Sequence, residues 1–433
     1  MQKFIVHTVV FVVCLSATTQ AQIPQSAHGR SIFEQFASFR SSNHATPNFT
    51  NKIAALPLSG ISQEWVARYD MPGNADDIAV AGGVDLDGNV FVTGYREMLS
   101  GAIDYVTVKY DADGNFLWMR TYDGPGKGTD IPTALAVDGW GNAYVTGFSE
   151  GDDGTGSDFA TIRYSPAGTE VWIARFDGQA SGSDVPVDIA VNGRFRVVVT
   201  GSSEGNGSGL DYVTIRYNKF GESGNWVERW NGPQNGDDEP ADLIMDDECV
   251  CASDTTVVLD TNHFFYVTGR TKGAVNGDDY ATIGYQNHDS PSSRLGLVKL
   301  YDSTHDQNDN AVALTFGEDT GALYVTGSST IFVNNLPDFG IETIKYDLLS
   351  GNEEWSRRVL SASANSIAAD ETGVYVAMRK GIFQDANFVV MKWAPHRTLL
   401  WDRFYDGPGH NRDQVRDMTT VLSDGIVLTG SSV

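Results

Sequence analysis

Hydrophobic and polar positions alternate along this chain in short runs, and the runs return as one repeated phrase. In Asp158–Tyr164, for example, Phe159, Thr161 and Arg163 alternate with Ala160, Ile162 and Tyr164. Period-2 alternation enriched in Val, Thr, Tyr and Phe predicts strands rather than helices. Each phrase holds four such runs. A short apolar strand (Thr133–Val137) comes first, then a Val-Thr-Gly strand (Asn142–Gly147), the alternating strand (Asp158–Tyr164) and a Trp-led strand (Val171–Phe176). The Val-Thr-Gly copies end at Gly94, Gly147, Gly201, Gly269 and Gly327, degrade to Val376-Ala377-Met378, and return as Leu428-Thr429-Gly430. The Trp-led strands begin at Trp65, Trp118, Trp172, Trp226, Leu297 (the substituted copy), Trp355 and Trp401. Only Ser31–Arg40, with Phe33, Phe36 and Phe39, has a helical rhythm, and it lies outside the repeats.

Trp65, Trp118, Trp172 and Trp226 stand 53, 54 and 54 residues apart, the length of one four-stranded blade, and self-similarity at such a period predicts a propeller. The expected fold is all-β: a seven-bladed β-propeller of four-stranded antiparallel blades over residues 62–433. The third strand occurs in six copies against seven of the others, so the last blade is expected to be shared between the termini, since a ring must close or leave edges exposed. The Trp65 strand would be the outer strand of that blade, Val415–Val421 and Ile426–Gly430 its inner strands, and Asn51–Pro57 a weak third. A chain shortened after Val433 is the alternative. Blade four runs 71 residues from Trp226 to Leu297. Its innermost strand is expected at Thr256–Leu259, in preference to Ala241–Met245.

The first residues change the picture of where the chain works. Lys3, the apolar stretch Phe4–Ala17 and the small-residue site Thr19-Gln20-Ala21 read as a signal peptide over residues 1–21. Residues 22–61 form a linker that adds at most one strand. A secreted, periplasmic or cell-surface protein is expected, with no transmembrane span. The formal net charge of −26 argues against nucleic acid, whose phosphates call for a basic footprint. It is compatible with divalent cations or neutral glycans, and with solubility alone. After the leader only Cys249 and Cys251 remain, without the spacing of a zinc site.

Trp118–Gly126 (WMRTYDGPG), Ala134–Asp138 (ALAVD), Asn142–Gly147 (NAYVTG) and Asp211–Tyr217 (DYVTIRY) resemble the bacterial seven-bladed propeller repeats known as SBBP. The resemblance covers about residues 62–433. It implies an exported or surface bacterial protein, and it brings no activity or site residues with it. Leu297, Met378 and the blade-four insertion depart from its pattern.

Candidate chemistry is sparse. Turns after the first and third strands are tight, as in Asp85-Leu86-Asp87-Gly88-Asn89 and Asp138-Gly139-Trp140-Gly141-Asn142, with Gly supplying positive φ. The opposite connections, including Ser149–Ser157, Ser202–Leu210, Thr271–Asp278 and Ser328–Pro337, read as long, Gly-rich and acidic, and function concentrates on such loops. An acidic or amide residue precedes each inner strand: Asp77, Asp130, Asp184, Asp238, Asp309, Asn365 and Asp413. If these ring the mouth of a central channel, their oxygens suit Ca²⁺; otherwise they cap backbone amides. Asp85-x-Asp87-Gly88-Asn89 lacks the sixth-position Gly and twelfth-position Glu of a calcium loop and reads as a turn. Asp347-x-x-Ser350-Gly351-x-x-x-Trp355 is similar to the docking motif of quinoprotein dehydrogenase propellers, in one blade only. No Gly-x-Ser-x-Gly elbow or P-loop occurs, and no catalytic residues are assigned.

The expectation is an exported monomeric binding module that meets a protein or carbohydrate through its acidic long-loop face, with no cofactor unless Ca²⁺ assists. A propeller enzyme (quinone-dependent oxidoreductase, or glycan hydrolase or lyase) and a purely structural surface protein are the alternatives.

Overall fold

The computed structural model describes residues 77–432 apart from 99–100, 152–155, 181, 193–195, 225, 246–263, 275–276, 287–294, 304–307, 318–320, 334–335, 349, 381–386, 406–412 and 422–424. Residues 1–76, which hold the expected leader, linker, Asn51–Pro57 strand and Trp65 strand, and Cys249 and Cys251 lie outside the described residues. Among those residues there is no helix, and so none long and apolar enough to cross a membrane.

The strands fall into two compact units. Within Ile23–Asp302 the first sheet holds β1 (Asp77–Val84), β2 (Val90–Glu97), β3 (Ile103–Tyr110) and β4 (Phe116–Tyr122) in chain order. The second holds β5 (Asp130–Val137), β6 (Ala143–Glu150), β7 (Ser157–Tyr164) and β8 (Glu170–Phe176). The third holds β9 (Asp184–Val191), β10 (Val197–Gly205), β11 (Gly209–Tyr217) and β12 (Val227–Trp230). The fourth holds β13 (Glu239–Met245), β14 (Phe264–Lys272), β15 (Asp278–Gln286) and β16 (Leu295–Tyr301).

Within Ser303–Val433 the fifth sheet holds β17 (Asp309–Phe316), β18 (Ala322–Val333), β19 (Leu336–Asp347) and β20 (Glu353–Leu360). The sixth holds β21 (Ala362–Asp370), β22 (Gly373–Lys380), β23 (Asn387–Trp393) and β24 (Leu399–Tyr405). β25 (Asp413–Val421) and β26 (Gly425–Ser432) form a two-stranded sheet. Six four-stranded antiparallel sheets in simple up-and-down order are the blade architecture of a β-propeller.

The Val-Thr-Gly phrase has a physical reason at each letter. Val145, Val199 and Val267 are fully buried. The threonine hydroxyls pair across to the third strand, Thr146 to Thr161 at 2.9 Å, Thr200 to Thr214 at 3.1 Å and Thr268 to Thr282 at 2.9 Å. The glycine sits against a bulge in the inner strand, where the register shifts between Pro132 and Ala134. A Cβ on Gly147 would stand 2.2 Å from Ile131 O. Bulges bend a strand and raise its twist, and only a glycine leaves room here.

The tryptophans join blade to blade. Trp118 of the first sheet packs on Tyr164 of the second and donates its indole N–H to Pro166 O at 3.0 Å. Trp172 repeats this one blade on, against Tyr217 and Lys219 O. In the second unit Trp355 donates to Pro395 O at 2.9 Å. An aromatic body with one polar tip is suited to a packed position whose edge meets a carbonyl.

Two expectations are corrected. The innermost strand of blade four is Glu239–Met245, paired with β14 from Glu239↔Arg270 to Met245↔Phe265; Thr256–Leu259 lies outside the described residues. Two of the second-to-third-strand connections are shorter than they read in sequence, because the strands continue into them. β10 and β11 pair out to Gly205↔Gly209, and β18 and β19 out to Val333↔Leu336. These segments are projecting hairpins rather than open loops.

Candidate acidic face and its carboxylate clusters

In the unit of β1 to β16, the up-and-down order puts the tight hairpins at one end of each blade. The second-to-third-strand tips and the blade-to-blade connections lie at the other. The tight end is self-contained. Asp85 Oδ1 accepts from the N–H groups of Asp87 and Asn89 at 3.0 and 2.9 Å, and Lys109 closes on Asp85 Oδ2 at 3.2 Å. The superficial calcium-loop motif is therefore a turn cap. Gly88, at φ 79°, takes the left-handed position that this turn needs. Asp347 behaves alike, accepting from Ser350 N at 2.6 Å, so the segment similar to the quinoprotein motif closes its own hairpin.

At the other end, the strand-start aspartates hold the blade-to-blade loops. Gly124 N donates to Asp130 Oδ2 at 2.7 Å, Gly178 N to Asp184 Oδ2 at 2.5 Å, and Gly232 N to Asp238 Oδ2 at 2.5 Å. In the other unit Ser303 N donates to Asp309 Oδ2 at 2.7 Å. The spacing is six residues each time. All four aspartates are buried. Asp77 is half-buried, with its backbone opposite Arg96; Asn365 is half-buried within β21, and Asp413 opens β25.

Among the described residues, no acidic cluster gathers two of these strand-start aspartates. Two of them instead meet carboxylates of their own blade boundary. Asp130 lies with Asp104 and Asp123, and Asp184 with Asp158 and Asp177, ligand atoms within 4.8 Å of one another.

An arginine pairs with an acidic residue of the third strand in each of the first five sheets. Arg175 reaches Asp158 at 2.6 Å, Ser149 Oγ at 2.6 Å and Tyr122 Oη at 2.9 Å. Arg229 repeats this on Asp211 at 2.8 Å and Ser203 Oγ at 2.5 Å. Sequence reading missed these residues, although they occupy a fixed place three residues after the blade tryptophan: Trp172/Arg175, Trp226/Arg229, and Trp355/Arg358, which pairs with Glu342 at 2.6 Å. Where Thr121 and Leu300 hold that place, the second strand supplies the charge. Arg96 meets Asp104 at 3.0 Å and Arg270 meets Asp278 at 2.5 Å.

The hairpin tips are tied to the loops beside them. Thr129 N donates to Glu150 Oε2 at 3.1 Å, and Leu210 N to Asp237 Oδ1 at 3.0 Å. Above this network Asp123, Glu150, Asp177, Glu204 and Asp237 are exposed, with Lys127 and Lys272 as the exposed cations among the described residues there. The end is rigid beneath and acidic on top.

Burial raises the carboxyls of Asp130, Asp184 and Asp238 above the ordinary 3.8. Asp123 and Asp104 add to the rise for Asp130, Asp177 and Asp158 for Asp184, and Asp211 for Asp238. Ser149 and Ser203 offset part of it. A carboxyl titrating above its unfolded value binds more protons in the folded state, so it costs stability at neutral pH and returns it as the pH falls toward 3.8. In EDTA, the Asp130→Asn/Asp184→Asn/Asp238→Asn variant is therefore expected to lose stability relative to the natural chain between about pH 7 and about pH 4.5. Urea midpoints at the two pH values check this; a variant that gains relative to the natural chain on acidification contradicts it.

No protein-family model matches the chain, and no curated protein matches it. Solved structures do. A chain of the mitotic checkpoint complex is 11% identical with a TM-score of 0.46, over 89% of this chain and 99% of that one. The Dos1 propeller is 7% identical with a TM-score of 0.46, over 81% and 92%. The Myceliophteria thermophila Cps50 (Swd1) beta-propeller domain is 10% identical with a TM-score of 0.41, over 82% and 99%.

Proposed function

We propose that this chain is an exported binding module that meets a protein or carbohydrate partner through the acidic end of its blades. One observation carries the reading: the projecting tips and blade-to-blade loops at that end are fixed from below by ion pairs between acidic residues and half-buried arginines, while presenting exposed carboxylates. Rigid support with variable, polar tips is how a repeat scaffold presents a recognition surface. The leader-like residues 1–21 support export, the repeat resemblance supports a bacterial surface context, and seven recurrences of the phrase support a ring of seven blades.

Arrays of glycans and of peptides probed with the purified chain test the reading. Binding to a charged or polar ligand is expected, with at least a tenfold loss in the Glu150→Gln/Glu204→Gln variant. The opposite outcome is binding indifferent to those two changes but lost on replacing Leu86 and Trp140 by serine. Those side chains are 64% and 54% exposed on the tight-hairpin end, and that result would move the recognition surface there.

A further inference from the structure

One second-to-third hairpin differs from the rest. β18 and β19 are 12 residues each, where the corresponding strands of the other sheets run 7 to 9, and they pair out to Val333↔Leu336. Their neighbours stop short. β17 pairs with β18 from Asp309↔Ser329 inward, and β20 with β19 from Leu360↔Gly340 inward. One further backbone bond is made on each flank, Thr330 N to Asn308 O at 3.0 Å and Ser361 N to Phe339 O at 2.6 Å. Past Thr330 and Phe339, among the described residues, the hairpin is a two-stranded ribbon with no strand on either edge. A ribbon of that kind is marginal in water unless something packs on it.

Its sequence is apolar where the other tips are not. The other hairpins pair last at Glu97↔Ile103, Glu150↔Ser157, Gly205↔Gly209, Lys272↔Asp278 and Lys380↔Asn387. Residues 330–339 read Thr-Ile-Phe-Val-Asn-Asn-Leu-Pro-Asp-Phe, with Asp338 as the sole charge. At the base of the ribbon Phe339 is 66% exposed and Leu360 42% exposed.

The backbone distinguishes the two edges. Peptide groups of an antiparallel pair alternate between facing each other and facing outward. Thr330 N and Phe339 O both face outward, and these residues are partners. The next outward pair is therefore Phe332 and Pro337, with Ile331↔Asp338 and Val333↔Leu336 bonded within the ribbon. Proline has no N–H, so the β19 edge offers no donor there and is blunted against pairing. The β18 edge offers both the N–H and the C=O of Phe332, in line with the end of β17.

We propose that this β18 edge takes up an extended, apolar segment of a partner protein, which adds as a strand beyond Asp309. Strand addition draws its affinity from main-chain hydrogen bonds and its specificity from alternate side chains. A lipid surface would leave the Phe332 N–H and C=O unpaired. Charge selects among polypeptides. The chain carries a formal −26, so a second copy or an acidic segment is repelled and a neutral or basic one is favoured. Glu150 and Glu204 belong to the other unit, and recognition through them is not required here.

Selection of a displayed library of random dodecapeptides on the immobilised full chain tests the assignment. Enriched peptides are expected to be rich in Val, Ile, Phe and Thr, with Lys and Arg outnumbering Asp and Glu. Synthetic versions are expected to bind saturably, and at least about tenfold more weakly to Phe332→Asp/Phe339→Asp. The Glu150→Gln/Glu204→Gln variant is expected to bind them as the natural chain does. Of two versions of one peptide methylated on alternate backbone nitrogens, one is expected to lose binding, since only one set faces the pairing edge. The methylated peptides need no variant, so a loss of stability in Phe332→Asp/Phe339→Asp, read from urea midpoints, leaves the test intact. Absence of enrichment, enrichment of acidic peptides, or indifference to both methylation patterns overturns the proposal. So does self-association of the full chain in sedimentation that Phe332→Asp/Phe339→Asp abolishes, which would give the edge to a second copy.

Discussion

Replacing Gly147 by alanine is expected to cost about 3 kcal/mol, the upper end of what overpacking usually costs. The new Cβ would stand 2.2 Å from Ile131 O, 2.4 Å from Pro132 Cα and 2.5 Å from Tyr105 Oη. Two of the three are backbone or its carbonyl, held by the register of β5 on β6, so no rotamer change relieves the clash. Tyr105 belongs to the preceding blade and donates to Phe148 O at 3.2 Å, so the strain crosses the blade boundary. The same change at Gly101 is a useful contrast in contact terms. A Cβ there meets nothing within 4 Å, although its φ of 85° adds backbone strain of its own. Chemical denaturation of both variants checks the order, and equal losses would show that backbone conformation, rather than blade packing, dominates.

Replacing Arg175 by methionine has the next largest expected effect, about 3 kcal/mol, because breaking a buried ion pair leaves a charge in poor surroundings. The low end of the range applies, since the Arg175 side chain keeps 24% exposure against 7% for Asp158. Asp158, Ser149 Oγ and the Ser149 carbonyl would all lose the guanidinium, Nη2 of which reaches Ser149 O at 3.1 Å. Pairing Arg175→Met with Asp158→Leu is expected to recover more than half of the loss, as apolar replacements of buried pairs often do. Urea unfolding of the natural chain, the single and the double variant measures this, and a double variant less stable than the single contradicts it.

Much of the architecture was legible because the repeat is strict. The Val-Thr-Gly and Trp-led strands are fixed by packing rules that act locally: a threonine needs a hydroxyl partner, a glycine a bulge, a tryptophan a carbonyl on the next blade. Blade four was misread because Leu259-Asp260 imitates the register of its neighbours. The better signal was the six-residue interval from Gly124 to Asp130, Gly178 to Asp184 and Gly232 to Asp238, which places the inner strand directly after Asp238. The lengths of two second-to-third connections were overestimated because Gly- and Ser-rich segments read as loops, yet cross-strand pairing extends β10 to Gly205 and β19 back to Leu336.

The strand-start aspartates were found, but their companions were not. A ring of single residues, one per blade, is what a periodic sequence suggests. Which carboxylates meet depends on how the connection after one blade folds over the third strand of that blade and the first strand of the next. That brings Asp104, Asp123 and Asp130 together from positions 19 and 7 residues apart. The arginines were readable from the Trp-x-x-Arg spacing in three repeats. Their substitution by Arg96 and Arg270 from the second strand was not, because it conserves the charge and moves it to another strand.

The acidic end of the blades as the recognition surface is tested most directly by hydrogen exchange of the full chain, free and saturated with the ligand that the arrays identify. Protection is expected in the connections 123–129, 177–183 and 231–237 and at the 206–208 tip, with no change in the 85–89, 138–142 and 165–169 turns. Protection confined to those turns, with the connections unaffected, would contradict it.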